Sequence, residues 1–352
     1  MNTLLIYFVI SLSLIAISNI WNIHKIFIFI VVGIGVLSFF YAPSEDADLY
    51  RHYESIEFYG EMGLDWVLKN RCDLNPLSSL LLYVFSFFND PRFFASFSTI
   101  ITYGFTFMLL YRVSIFYSLS KNTIFILSAF LLLNWNFLLV VSNCRIFMLY
   151  AIIAYFFYME YIEGRFHKTA FVVYILSIFF HYGILLIVVP RIFMYLYKPT
   201  SKMVYFWIFI LILLFIYKGN TILQSFWVDL VLKKVEGYEQ YTTFGILQYL
   251  NSLFCIITCC ICIIGGEYPI YPNKKYLILF WINIFMILFQ ITNYQVVYRE
   301  SNIIASLSVV PFSQLMYNET NKEMLKIVLI VQSIMTFVYY LCFVYQTIEF
   351  NF

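Results

Sequence analysis

The chain has 352 residues, 63% of them hydrophobic and only 11% charged. A soluble domain carries roughly 25% charged residues because its surface faces water, so this composition excludes an ordinary water-soluble globule. The net charge of +2 singles out no class of partner, and neither a nucleic-acid partner nor a cofactor is expected.

Apolar segments long enough to span ~30 Å of hydrocarbon recur along the chain, and helices are expected at 3–18, 26–41, 93–111, 123–141, 146–161, 169–181, 183–197, 203–217, 246–264, 276–293, 302–317 and 325–346. They are continuous, unlike the ~10-residue alternating segments of membrane barrels, and so predict helices. The expected fold class is all-α, a single transmembrane domain over 1–352 with about 12 membrane-spanning helices. The first run has no basic n-region and no small-residue cleavage site, so it is expected to be retained. No internal repeat and no Gly/Pro/Ser-rich linker divides the chain. The 40 Phe and 31 Tyr suit lipid-facing and interfacial positions.

A further apolar run, Leu77–Phe88, is short for a crossing. The basic loops decide its status. Arg112 and Lys121, Arg165 and Lys168, Arg191 with Lys198 and Lys202, Lys274 and Lys275, and Lys322 and Lys326 share one side if all later helices cross. By the positive-inside rule that side is the cytoplasm. His24 and Lys25 join it only if Leu77–Phe88 is re-entrant, which puts both termini outside. The outer segments are then the loops 42–76 and 218–245, the junction Ser142–Arg145, the turn His181–Gly183 and the stretch Asn293–Asn302. Within 42–76 stand Glu45, Asp46, Asp48, Glu54, Glu57, Glu61, Asp65 and Asp73. Acidic residues count little toward orientation, so this loop crosses without conflict. In 228–245 the spacing of Val228, Val231, Leu232 and Val235 is that of an interfacial helix.

Polar residues at these outer ends are the candidates for chemistry. Arg145, beside Asn143, opens a strongly apolar helix. It reads either as an arginine snorkelling to lipid phosphates or as an anion clamp, with Asn143 as cap or ligand amide. Arg299, next to Tyr298, reads as a second clamp or as the ion-pair partner of Glu300. Guanidinium forks suit a pyrophosphate better than the point charge of lysine. His181 ends a short helix and precedes Gly183, which admits a close backbone or ligand. It reads as a hydrogen-bonded packing residue or as a base near its working pH. Asp46, Asp48, Tyr50, Arg51 and His52 follow directly on a membrane helix, at the mouth of any cavity there. Arg51 and His52 suit an anion or sugar. Asp46 and Asp48 suit a cation or orient Arg51, or else serve as the acidic first turn of a solvated helix. Cys255, Cys259, Cys260 and Cys262 lack acidic or His neighbours and are expected as small packing residues with no metal.

The order of these motifs resembles the EpsG-like branch of the Wzy-type bacterial polysaccharide polymerases. The matching segments are Asp46-x-Asp48-x-Tyr50-Arg51-His52-Tyr53, Asn143-x-Arg145, His181-Tyr182-Gly183 and Tyr298-Arg299, in that order over nearly the whole chain. One stretch departs: Tyr41-Ala42-Pro43 stands where many relatives are rich in Arg and Gly, leaving Arg51 as the substitute. The resemblance implies a metal-independent membrane glycosyltransferase of the GT-C type in the bacterial cytoplasmic membrane. It would work on the outer face, moving a glycan chain en bloc from undecaprenyl pyrophosphate onto a lipid-linked repeat unit, either alone or with a chain-length regulator as partner. Capsule, O-antigen and exopolysaccharide are equally open as products. The roles implied are Arg145 and Arg299 on the pyrophosphate, His181 as base or acceptor-positioning group, and Arg51 with Asp48 in support. A lipid-linked oligosaccharide flippase, an envelope-glycan acyltransferase and a non-catalytic scaffold are the competing readings.

Overall fold

Helix dominates the computed structural model of the chain, which describes residues 2–17, 22–45, 47–71, 75–135, 137–185, 187–189, 191, 252–260, 276, 279–284, 294–317, 322–339 and 349–350. In chain order the elements are α1 (Asn2–Ile17), α2 (Ile23–Phe39), β1 (Tyr41–Ala42), α3 (Asp48–Met62), α4 (Leu64–Asn70), α5 (Pro76–Phe85), α6 (Arg92–Phe116), α7 (Lys121–Asn134), α8 (Phe137–Ser142), α9 (Cys144–Tyr161) and α10 (His167–Phe180). A 3-10 turn at Tyr182–Ile184, α11 (Tyr294–Tyr317), α12 (Lys322–Tyr339) and β2 (Glu349–Phe350) follow.

Among the described residues, α6 and α9 are long and apolar enough to cross a membrane. Shorter apolar helices, α2, α7 and α10 among them, accompany these two. The outward faces are apolar too. α2 exposes Ile28, Phe29, Val32 and Val36, and α12 exposes Ile327, Ile330, Val331, Ile334 and Met335. A bundle surrounded by water would carry polar side chains on those faces.

Ring contacts fix the directions. α2 runs against α6, with Phe27 on Phe107 at 4.7 Å and Phe39 on Phe93 at 5.0 Å. α9 runs alongside α6 in the same sense, through Phe105–Tyr155 at 5.4 Å and the Arg112–Glu163 ion pair at 3.9 Å. α11 runs against α7, with Phe130 on Phe312 at 5.7 Å and the Trp135 indole N–H donating to Ser306 Oγ at 2.8 Å. Residues 301–316 of α11 are buried throughout, which makes it the central helix of the bundle. The starts of α3, α6, α9 and α11 and the ends of α2 and α10 therefore share one end. Arg112, Lys121, Arg165 and Lys168 collect at the other.

Several sequence expectations need correction. The stretch 42–76 is not a loop, because it holds α3 and α4. Leu49, His52, Ile56 and Tyr59 recur at helical spacing and are the buried face of α3. The run 123–141 is broken at Trp135, whose indole reaches Ser306 and whose carbonyl accepts the Tyr103 hydroxyl at 2.6 Å. That bond satisfies the backbone oxygen which the interruption frees. The helix expected at 302–317 begins instead at Tyr294, because Ser301 and Asn302, polar as they are, lie buried on it. Arg191 is no solvated loop residue: it is 4% exposed and paired with Glu160. The β1–β2 pair, with Tyr41 opposite Phe350 and Ala42 opposite Glu349, adds a short antiparallel ribbon to an otherwise helical fold. Of the remaining expected helices, 252–260 and 279–284 are helical. The run 203–217, the loop 218–245 and Cys262 lie outside the described residues.

Leu77–Phe88 becomes α5, ten residues from Pro76 to Phe85. At 1.5 Å per residue it is only ~15 Å long. It enters from Asn75, beside Tyr182, and leaves through Phe88, which touches Phe93 at 5.6 Å. Both ends therefore stay at the α3 end of the bundle.

Candidate functional site

Four elements meet at the α3 end. Asn75 and Pro76 open α5, proline occupying the first helical position where its missing N–H costs nothing. Asn75 Oδ1 accepts the backbone N–H of Tyr182 at 3.1 Å, which docks the turn after α10 onto the mouth of α5. One turn into α5, Ser78 Oγ accepts from Arg145 Nη1 at 3.1 Å. Arg145 is half-buried in the first turn of α9. That serine is its one hydrogen-bond partner among the described residues, and no carboxylate there lies within salt-bridge range of it. A guanidinium with most of its five donors unspent among the described residues is equipped to take an anion.

Asn143 occupies the N-cap of α9 without using its side chain as a cap. Its amide is therefore not spent on the helix, and of the two roles read for it the ligand amide is the one left open.

On α3, His52 points inward and Arg51 outward. His52 is 6% exposed, its ring edge-on to Phe94 at 5.8 Å. Burial, then the positive charges of Arg145 and Arg51 and the neighbouring His181, hold its pKa well below the usual histidine value. Those three groups are thus its electrostatic neighbours. Arg51 pairs with Asp48 at 2.7 Å across one exposed turn, a contact worth about 0–1 kcal/mol. Asp48 also stands in the acidic first turn of α3, so the pair fits a solvated helix start as well as an orienting role. Tyr50 is half-buried on the same helix, and Asp46 lies outside the described residues.

His181 follows α10 in extended backbone and stacks on Tyr182, ring centroids 5.3 Å apart. Its Nδ1 accepts the Gly183 N–H at 3.1 Å. A Cβ on Gly183 would stand 3.0 Å from both Nδ1 and Cε1 of that ring, so the glycine is what lets the imidazole fold back over the turn.

Arg299 is half-buried in the second turn of α11. It stands seven residues before Ser306, about 10 Å along the axis, and Trp135 links Ser306 to Phe147 of α9. Arg299 and Arg145 thus belong to the same end of two adjoining helices. Tyr298 precedes Arg299 on α11, its side chain outside the described residues.

Sequence reasoning missed Asn75 and Ser78. The available signal was Asn75-Pro76 ahead of an apolar run, a helix-start pattern that directs the first turn of α5 at the site. It also missed Glu160, at the far end of α9. Both Arg191 Nε (2.8 Å) and Nη2 donate to its carboxylate, Tyr174 Oη donates at 3.1 Å, and His167 Nδ1 lies at 3.4 Å. No cluster of His, Cys, Asp and Glu able to hold a metal occurs among the described residues. Cys255 and Cys259 are buried in the apolar core. Comparison of the chain with protein-family models, with curated proteins and with solved structures returns no match, so what the site can do is read from its own residues.

Proposed function

We propose that the chain is a multi-pass membrane glycosyltransferase of the Wzy type. It joins lipid-pyrophosphate-linked glycans at the outer face of the bacterial cytoplasmic membrane. The observation that carries this reading is the convergence of Arg145, Arg51, His52 and His181 at one end of the bundle, with Arg145 free of any carboxylate among the described residues. Positive charge fixed in advance where a pyrophosphate departs is the kind of contribution that supplies the largest catalytic term in many transfers. The oligosaccharide lipid binds with its pyrophosphate toward Arg145, aided by Arg299 from α11. The acceptor sugar of a second lipid-linked unit approaches beside the imidazoles.

The orientation follows from the basic end of the bundle. Arg112, Lys121, Arg165 and Lys168 there suit the cytoplasm, and the α3 end then faces outward. About twelve spans complete the topology, with α5 as a re-entrant segment.

The reading is tested by replacing Arg145 with alanine in the native host at normal protein level. Long-chain polysaccharide should disappear and single lipid-linked repeat units accumulate on the outer leaflet. Accumulation on the inner leaflet would indicate a flippase instead, and unchanged long-chain product would defeat the assignment.

A further inference from the structure

Asn75 does not spend its side chain on its own helix. It occupies the N-cap of α5, and its backbone carbonyl accepts the Ser79 N–H at 3.1 Å, yet its carboxamide caps none of the N–H groups there. Oδ1 reaches instead to the turn after α10 and accepts the Tyr182 N–H at 3.1 Å. An amide nitrogen cannot accept that bond, so the oxygen is fixed on Tyr182 and the NH2 group is directed elsewhere. Asn75 is half-buried, so this NH2 is not sealed in the core. Neither of its hydrogens has a partner among the described residues. Ser78 stands three residues on, a neighbour on the same helix face, and receives Arg145 Nη1 at 3.1 Å. A single turn of α5 thus presents the Asn75 amide at one position and holds the Arg145 guanidinium at the next.

The open groups at this turn share one property. The side-chain acceptor of Asn75 is used and a guanidinium has none, so what both residues have left to offer is N–H donors. A sugar hydroxyl gives as well as receives, and its own hydrogen would find no match in such a pair. A phosphoryl oxygen only receives. We infer that Asn75 is a second ligand-binding residue of the site, donating from Nδ2 to a phosphate oxygen of the anion held by Arg145. The inference deepens the transfer reading and rests on it, the anion being the lipid pyrophosphate. A neutral amide adds a directed hydrogen bond to charged oxygen without adding charge, and so fixes the angle at which the diphosphate lies on the guanidinium. Through Oδ1 the same side chain ties the seat of the anion to the turn that carries His181.

The test titrates inorganic pyrophosphate onto the purified full chain in detergent and follows the unfolding midpoints of the same preparations. Asn75→Asp keeps an oxygen for the Tyr182 N–H, removes both amide donors and sets a carboxylate against the anion. It should bind pyrophosphate at least about 10-fold more weakly, the worth of one hydrogen bond to a charged group, while the midpoint without pyrophosphate holds. Asn75→Ala should weaken binding by about 10-fold and also lower the midpoint, because it releases the Tyr182 turn. Wild-type affinity in Asn75→Asp, with binding lost in Arg145→Ala, would overturn the inference and leave Asn75 a tether only, with the transfer reading intact. Absence of pyrophosphate binding by the wild-type chain would overturn it as well. Weakened binding in the Asn75 and Arg145 variants, with glycan transfer by Arg145→Ala in proteoliposomes unchanged, would support the anion site and defeat the transfer reading. If Asn75→Asp does not accumulate, Asn75→Ala decides, and wild-type affinity there overturns the inference.

Discussion

The Nη1 of Arg145 donates to Ser78 Oγ at 3.1 Å, so the first turn of α9 is held by the first turn of a helix too short to cross a bilayer. This bond sets where the guanidinium points while, among the described residues, its other donors stay open. A hydrogen bond to a charged group contributes about 1.5–3 kcal/mol when buried, and Arg145 is only half-buried. Ser78→Ala should therefore lower the rate of glycan transfer by about 5-fold, near 1 kcal/mol, without changing protein level. Steady-state kinetics of the variant beside Ser78→Thr, which keeps the hydroxyl, checks it.

Gly183 is the tightest point of the His181 turn. A methyl group there meets the imidazole at 3.0 Å, and Ile146 Cδ1 at 3.4 Å blocks one way of escape. Gly183→Ala should displace His181 and cost about 1–3 kcal/mol, as overpacking does. Gly104→Ala is the control, because its nearest neighbour beyond its own helix is Val31 Cγ1 at 3.9 Å. Thermal unfolding in detergent and polymer yield should both fall for the first variant and hold for the second.

Glu160 and Arg191 form an ion pair whose side chains are 2% and 5% exposed. Removing one member of such a pair strands the other charge, at a cost of about 3–5 kcal/mol. Glu160→Ala should thus destabilise the fold strongly, and Glu160→Ala with Arg191→Met should recover much of the loss. A double-mutant cycle on unfolding midpoints measures it. A loss in the double variant equal to the sum of the two single losses would show that the pair is not coupled.

His52 gives stability a pH dependence of definite sign. Above about pH 6.5 the imidazole is neutral in both folded and unfolded chains and adds no slope. Below that value the unfolded chain binds a proton that the folded chain resists, since the folded pKa is held down. Stability due to this residue is present above pH 6.5 and is lost as the pH falls toward the folded value, by at most about 1.4 kcal/mol per pH unit. His52→Gln should flatten the decline below pH 6.5, read from unfolding midpoints between pH 7.5 and 5.

Much of this arrangement was legible in the residues. The apolar runs that became α1, α2, α6, α9 and α10 were placed within a few residues of their ends, because burial and lipid exposure both demand apolar side chains there. The shortness of Leu77–Phe88 disclosed α5. Helices rich in polar residues were harder. α3 carries eight charged or histidine side chains over Asp48–Met62 if its flanking Asp46 and Glu45 are included, and it hides its amphipathic period among them. α11 buries Ser301 and Asn302, residues at the edge of a stretch that reads as an outer loop until the helix packed around them is seen. Arg191 looked like a cytoplasmic charge because its partner Glu160 sits thirty-one residues away. Contacts of that range leave no local pattern.

The most direct measurement is made on purified chain reconstituted with lipid-pyrophosphate-linked repeat units, with products resolved by length. The wild-type chain should produce a ladder of lengthening glycans, and Arg145→Ala should leave the units single. A ladder of equal length and rate from both chains would contradict the assignment of this end of the bundle as the site of transfer.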